Sequence, residues 1–426
     1  MSLGAVRSAM VCQEWQTIPI GAQGLSKEEA DGFLKQAGKA ARNLRLPEGS
    51  ILTQVPDGLR AGQVCGVMTF KGRSVEILPK IDGTNIECRQ SLIRMLSVAH
   101  ELRISDGEMA RLQVQKRDIL ELLIALFSKR LAQNMKSGLQ RLYSQHEDEL
   151  PQLRGALDIR RQLTRRPTAP TRLHCRFDEL SENTPLNRLL KATVRRLLGI
   201  TKRYDTLHTL QIILDGFKAV GESKRPLDER IIHDRSMATY ANLIPLARLL
   251  LAGNWQNTTS GKVTGTSLLF PMNNLFEAYV GARAKQVLRG DIVRTQHARH
   301  HVLQNNLFRT IPDIVVESSN RPAIVDTKWK KLDPTDPVKL GVAQSDVYQM
   351  LAYGHVYSAH GATPRLILLY PHHAGLGAVE GIQRAWKITG SNIPLDVATV
   401  DISKRRSPER WKSFFDAILH SSESNN

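Results

Sequence analysis

Ile311-Pro-Asp-Ile-Val-Val-Glu-Ser-Ser-Asn-Arg-Pro-Ala-Ile-Val-Asp-Thr-Lys-Trp-Lys330 decides how this chain is read. Asp313 opens an apolar run, Ile314 to Val316. Ser318 to Pro322 has turn composition. Ala323 to Val325 is a second apolar run, and it ends in Asp326-Thr327-Lys328. Side chains alternate along a strand, so Asp326 and Lys328 share a face. A turn centred near Ser319 and Asn320 sets Asp313 nearly opposite Asp326, at a Cβ separation of about 4.5–5.5 Å. Two carboxylates that close repel unless a cation or a proton intervenes. Hard oxygen ligands suit Mg2+, with Mn2+ as a substitute, and such an ion takes a couple of carboxylates plus waters and phosphate oxygens. It would position and deprotonate water and stabilise charge on a phosphate. Lys328 would hold the attacking water or the phosphate. The chemistry read from this stretch is metal-assisted phosphodiester hydrolysis. A bare Asp-x-Lys is more often a solvated strand end; here a Pro-Asp and an apolar hairpin precede it.

Two helices would complete such a site. Asn273 to Val287 follows Pro271, a plausible helix start. Its Glu277 falls among Leu275, Phe276 and Val280, where a carboxylate is expensive unless paired or metal-bound. A second helix carries Gln344, Tyr348, Gln349 and Tyr353. Gln344 and Tyr348 share a face, and Gln349 adjoins it, within reach of a phosphate or a metal-bound water.

Farther out, the chain reads as α+β and multidomain. Residues 1–104 form a β-rich N-terminal domain, in which Gln63 to Phe70 and Val75 to Pro79 flank a Gly-containing turn as a hairpin. Helical spacing covers Gln90 to Glu101 and Asp118 to Leu131. Residues 105–253 are a mainly helical, basic middle region. In it Asn187 to Tyr204 reads as one amphipathic helix with a basic face. Lys129 to Arg176 holds eleven Lys or Arg against four acidic residues. There Arg160, Arg161, Arg165 and Arg166 precede Pro167 and Pro170, the composition of an exposed connector. Asn254 to Thr266 reads as a linker. Residues 254–420 are a C-terminal α/β domain, and 421–426 a frayed tail.

Composition narrows the classes. The chain has 426 residues and a formal net charge of +18, which favours a polyanionic partner. Aromatics at 5% weaken a model of single-strand stacking. Cys12, Cys65, Cys88 and Cys175 are far apart with no CxxC, so they read as free, buried thiols rather than a zinc ribbon. No apolar run approaches a membrane span, and the start has no signal-type core, so the expectation is a soluble cytoplasmic protein with no membrane partner. His297, His300 and His301 cluster without a convincing ligand set, and His372 and His373 read as a solvated pair. Ser260-Gly261-Lys262-Val263 is no Walker A, so the chain binds no nucleotide of its own.

With Glu277 upstream and Gln344, Tyr348 and Gln349 downstream, the Asp313…Asp326-Thr327-Lys328 pattern resembles the PD-(D/E)xK restriction-endonuclease-like core. More narrowly the chain resembles the McrC family, the nuclease subunits of McrBC-type modification-dependent restriction systems. Supporting segments are Val75 to Ile81, Arg154 to Asp158, Phe177-Asp178-Glu179 with Asn183 to Arg188, and Leu369-Tyr370-Pro371. The resemblance spans roughly residues 60 to 390. It implies a C-terminal domain that cleaves double-stranded DNA with Mg2+. By motif position Asp313, Asp326 and Glu277 would be metal ligands and Lys328 would orient or activate water. Gln349 and Tyr348 would support them. It also implies a McrB-like AAA+ GTPase ring as partner, engaged by the N-terminal part, which stimulates GTP hydrolysis and leaves DNA reading to the ring. Two other readings stand beside it: a stand-alone repair or recombination nuclease of the same fold, and a catalytically silent DNA-binding regulatory subunit.

Overall fold

The structure, a computed structural model, describes residues 9–105, 107–109, 118–165, 171–231, 239–252, 265–318, 321–359, 363–377, 379–391 and 393–420. It is a mixed α+β chain of two contact units: Met1–Ile119 with Asn254–Asn426, and Leu120–Gly253. The first strands are β1 (Met10–Gln13), β2 (Thr17–Pro19), β3 (Leu52–Val55), β4 (Gly58–Ala61), β5 (Val64–Phe70) and β6 (Arg73–Leu78). The hairpin expected around Gly72 is β5–β6, with Phe70 paired to Arg73. Lys71 and Gly72 both take positive φ, 45° and 82°, the backbone that a tight two-residue hairpin turn requires. β1 lies parallel to β6, and β2, β4 and β3 form a separate antiparallel sheet. A helix at Lys27–Leu44, opened by a Ser26–Glu29 capping box, buries Phe33, Ala37, Ala40 and Ala41. This gives the first fifty residues a core that no strong sequence pattern announces. The helix expected from Gln90 begins five residues earlier, at Asn85, because Thr84 and Glu87 make a second capping box.

The described part of the middle unit is mainly helical, as expected, with one addition. It contains a three-stranded antiparallel sheet in the order β7-β9-β8, from β7 (Leu142–Leu150), β8 (Ala156–Leu157) and β9 (Leu173–Ser181). β7 is largely exposed and polar, so it carries little of the apolar alternation by which strands are recognised. Arg160 and Arg161 lie on a short helix, Ile159–Arg165, rather than in an open connector. Arg161 pairs with Glu147 there; Arg166, Pro167 and Pro170 lie outside the described residues. The helix expected over Asn187 to Tyr204 is two, Pro185–Leu198 and Tyr204–Gly216. Gly199 is a poor helix interior residue. The chain beyond it is tied instead to Glu121, which accepts from Thr201 Oγ1 at 2.8 Å and Lys202 N at 2.8 Å.

β10 (Gly265–Pro271) returns to the first unit and pairs antiparallel with β5, completing the order β1-β6-β5-β10. The expected linker thus ends in a strand at Gly265 and Thr266, and its earlier residues lie outside the described ones. The helix Met272–Val287 follows without a loop. Next come β11 (Ile292–Thr295), a separate hairpin of β12 (His301–Leu303) and β13 (Leu307–Arg309), and then β14 (Ile314–Glu317), β15 (Ala323–Thr327), β16 (Arg365–Pro371), β17 (Gly381–Lys387) and β18 (Pro394–Val400). These build a six-stranded sheet in the order β11-β14-β15-β16-β18-β17. β15, β16 and β18 run parallel at its centre. The crossover from β15 to β16 carries the helix Gln344–Ser358. Its Met350 and Tyr353 pack with Ile324, Leu366 and Val397. Because β15 is a central strand, every one of its side chains is buried, Asp326 included. All four cysteines are free and buried. Among the described residues no helix is long and apolar enough to cross a membrane.

Candidate active site

The β14–β15 register runs from Val316 opposite Ala323 to Ile314 opposite Val325. A turn centred between residues 319 and 320 produces that register; Ser319 and Asn320 themselves lie outside the described residues. Carried one residue further, it sets Asp313 opposite Asp326. Asp313 Oδ2 accepts from the Thr327 amide at 2.8 Å and its hydroxyl at 2.7 Å. Asp326 is 1% exposed. Its Oδ2 lies 2.5 Å from Lys328 Nζ in an ion pair, while Oδ1 has no hydrogen-bond partner. Burial raises the pKa of both carboxyls. For Asp326 the charge of Asp313 adds to burial, the Lys328 ammonium opposes it, and the result is about 6.

Glu277 projects from the second turn of the helix Met272–Val287 and accepts from Gln296 Nε2. Burial, then the charges of Asp313 and Asp326, push it up to about 7. Lys328 Nζ donates to Gln349 Oε1 at 2.8 Å. Gln349 Nε2 donates to the Tyr353 hydroxyl at 2.8 Å, which donates to the Ile311 carbonyl at 3.1 Å. A polar chain therefore runs from the lysine back to the segment that carries Asp313. Tyr348 stands apart: it is exposed, and its hydroxyl accepts from Gln344 Nε2. The structure thus brings Glu277, Asp313, Asp326, Lys328 and Gln349 into one neighbourhood and leaves Tyr348 at its outer face.

Sequence reasoning missed four supports. Asp346, buried on the second helix, accepts from Lys330 Nζ at 2.9 Å and lies 3.9 Å from Lys328 Nζ. Its spacing from Tyr353 on one helix was the available signal. Gln63 Nε2 donates to Asn273 Oδ1 at 3.0 Å and to the Trp329 carbonyl at 2.7 Å, joining the two segments that carry Glu277 and Lys328. Trp329 Nε1 donates to both oxygens of Glu14, at 3.0 and 2.9 Å. No local pattern announces these last contacts. Of the histidines, His297 Nδ1 meets the Tyr357 hydroxyl at 2.8 Å. His373 is buried against the Leu332 carbonyl, contrary to the solvated pair expected.

Among the described residues no three His, Cys, Asp or Glu side chains are close enough to hold an ion unaided. Two opposed carboxylates, one with a bare buried oxygen, are nonetheless the protein share that Mg2+ ordinarily takes, with water and phosphate supplying the rest. The donor set fits. Its electrostatics carry a prediction. A carboxyl whose folded pKa is raised favours the folded state while protonated. That contribution is complete below the unfolded value and is lost as pH rises through the folded value. For Glu277 the window runs from 4.5 to about 7. The melting temperature of the cation-free chain should therefore fall across that window by more than that of Glu277→Gln. Parallel curves for the two proteins would refute the electrostatic account.

The family model described as "McrBC 5-methylcytosine restriction system component" matches residues 59–371, well over half of the chain. Two structures from Thermococcus gammatolerans are similar in fold. One is a refined half-complex from a tetradecameric assembly of McrB AAA+ hexamers with bound McrC, with a TM-score of 0.67 and 18% identity over 97% of this chain and 100% of that one. The other is a McrBC complex, with a TM-score of 0.53 and 22% identity over 66% of this chain and 88% of that one. No curated protein matches.

Proposed function

Since the chain belongs to the family of McrBC 5-methylcytosine restriction system components, we propose that it is the nuclease subunit of such a system. It hydrolyses phosphodiesters of double-stranded DNA, in the cytoplasm, together with a McrB-like AAA+ GTPase ring whose GTP hydrolysis it stimulates. The observation that carries this reading is the convergence of Asp313, Asp326, Lys328 and Glu277 at the edge of a PD-(D/E)xK-like hairpin. Similar chains occur in assemblies of McrC with McrB hexamers, which supports the partner.

In this reading residues 254–420 are the nuclease domain, 105–253 the basic middle region, and 1–104 a surface for docking the ring. Asp313 and Asp326 would hold Mg2+, or Mn2+, and Glu277 would complete the acidic site. The ion, when bound, lowers the pKa of water and offsets charge on the phosphate. Thr327 fixes one Asp313 oxygen and so aims the other. Lys328 is held by Asp326 and Gln349 where it can bind the attacking water or a phosphate oxygen. Without a cation, burial and the charges of Asp313 and Asp326 push Glu277 up to about 7, and a bound ion would oppose that shift.

The test is cleavage of methylated and unmethylated plasmid with Mg2+, with and without the partner and GTP. Cutting that needs partner and GTP, and is lost in Lys328→Ala, is the expected result. Cutting by the chain alone points to a stand-alone nuclease, and no cutting with the partner bound to a silent regulatory subunit. The net charge of +18 carries a further expectation. DNA affinity should fall steeply with salt, as phosphate neutralisation requires; a flat salt dependence would mean the charge serves another purpose.

A further inference from the structure

Between Gln296 and Asp313 the chain makes an excursion whose root is fixed to the candidate active site. Gln296 N donates to the Asp313 carbonyl at 2.9 Å, and His297 N to the Pro312 carbonyl at 3.2 Å. Thr310 N closes the inner end on the His300 carbonyl at 2.8 Å, and the His300 ring meets Tyr357 edge-on at 4.7 Å. Beyond this anchor β12 and β13 pair only with each other. A free two-stranded hairpin is marginal in water, so the anchor is what holds it out.

Behind its polar turn the two strands are apolar where solvent would favour polar residues. Val302, Leu303, Leu307 and Phe308 are all exposed, Phe308 by 73%. Phe308 also has φ of 55°, a conformation that costs a bulky residue energy and clusters at functional sites. Asn305 and Asn306 share positive φ, which they tolerate. From Thr295 to Pro312 the sequence has no Asp or Glu; the turn itself is the polar Gln304-Asn305-Asn306, and Arg299 and Arg309 flank the apolar strand residues behind it. Exposed apolar strands, basic flanks and a root on the cleavage segment are the makeup of side chains that enter a base step while arginines hold the backbone.

We propose that the β12–β13 hairpin is a wedge that enters duplex DNA beside the scissile phosphate, with Phe308 the inserted side chain. The proposal rests on the nuclease reading for its substrate. The charge pattern favours nucleic acid over an apolar protein surface as the occupant, because four exposed apolar residues between two arginines, with no acidic residue among them, match a stacked base step bordered by phosphates.

The test uses the full chain, alone and with its AAA+ partner and GTP, on a duplex carrying 2-aminopurine, whose fluorescence rises on unstacking. Binding should raise the signal in wild type and in cleavage-deficient Lys328→Ala. Phe308→Ala should abolish the rise and lower cleavage about tenfold, with melting temperature and GTPase stimulation unchanged, and Phe308→Trp should restore both. Equal signals in wild type and Phe308→Ala would overturn the proposal, as would bound duplex with no rise in wild type. So would loss of the GTPase complex in Phe308→Ala, which would make the hairpin a partner surface. Unimpaired cutting by Lys328→Ala would instead sink the assignment of the cleavage site, leaving the fluorescence to judge the wedge on its own.

Discussion

Asp326→Asn should lower DNA cleavage by the assembled system about a thousandfold and at the same time raise the melting temperature of the cation-free chain at pH 8. Both effects follow from one feature. Asp326 is buried on a central strand, opposite Asp313, with one oxygen that no hydrogen bond satisfies. Its pKa of about 6 means that burial and Asp313 outweigh the attraction of Lys328. At pH 8 the ionised group therefore costs stability unless a cation faces it. Asparagine removes that cost and the ligand together. The readouts are plasmid cleavage, GTP hydrolysis by the partner, which should not change, and melting with and without Mg2+. Wild-type protein should gain stability from Mg2+ at pH 8, and the variant should gain little. A variant that melts lower without cation would show Asp326 to be a structural ion-pair partner of Lys328, and the site assignment would lose its main support.

How legible this site was follows from how local its parts are. The Asp313–Asp326 opposition could be read because two apolar runs and a turn fix a register, and a register fixes which side chains face each other. The Lys328–Asp326 contact followed from strand alternation. Glu277 could be suspected because a carboxylate in an apolar helix face needs a reason. Tyr348 was grouped with Gln349 by helix spacing alone, and spacing does not say which of two adjacent residues turns inward. The middle sheet was missed because β7 exposes most of its side chains, so its pairing with β9 is a matter of partner strands and not of its own pattern. Glu14 was invisible for a different reason. Its partner, Trp329, is 315 residues away, and no single-sequence pattern links such positions. The same holds for Gln63, 266 residues from the carbonyl it serves.

That long-range contact sets the largest stability effect. Trp329→Ala should destabilise the first unit by about 3–5 kcal/mol, the usual range for deleting a buried aromatic. Trp329 is fully buried, its ring 5.4 Å from Phe276, one helical turn from the start of the segment that carries Glu277. The substitution leaves a cavity there. It also removes the Nε1–H donor from Glu14, a 3%-exposed carboxylate that still accepts from the Lys80 amide at 3.0 Å. Burial already holds Glu14 at about 7, opposed by its hydrogen bonds from Lys80 and Trp329. Losing one of those bonds raises that value further. The two contributions separate by substitution. Trp329→Phe keeps most of the packing and loses only the donor, so it should cost about 1–3 kcal/mol. Its deficit should grow as pH rises through 7, where wild-type Glu14 ionises and the variant's resists. Urea denaturation of the three proteins at pH 6 and pH 8 reads both. Because Trp329 adjoins Lys328, whose amide is held by the Leu369 carbonyl at 2.9 Å, Trp329→Phe should also reduce cleavage at temperatures where it remains folded. A Trp329→Ala cost below about 1 kcal/mol would mean that the contact between Glu14, just after β1, and the segment after β15 is incidental. Of the N-terminal part, only Gln63, through the Trp329 carbonyl, would then be left to help hold the lysine in place.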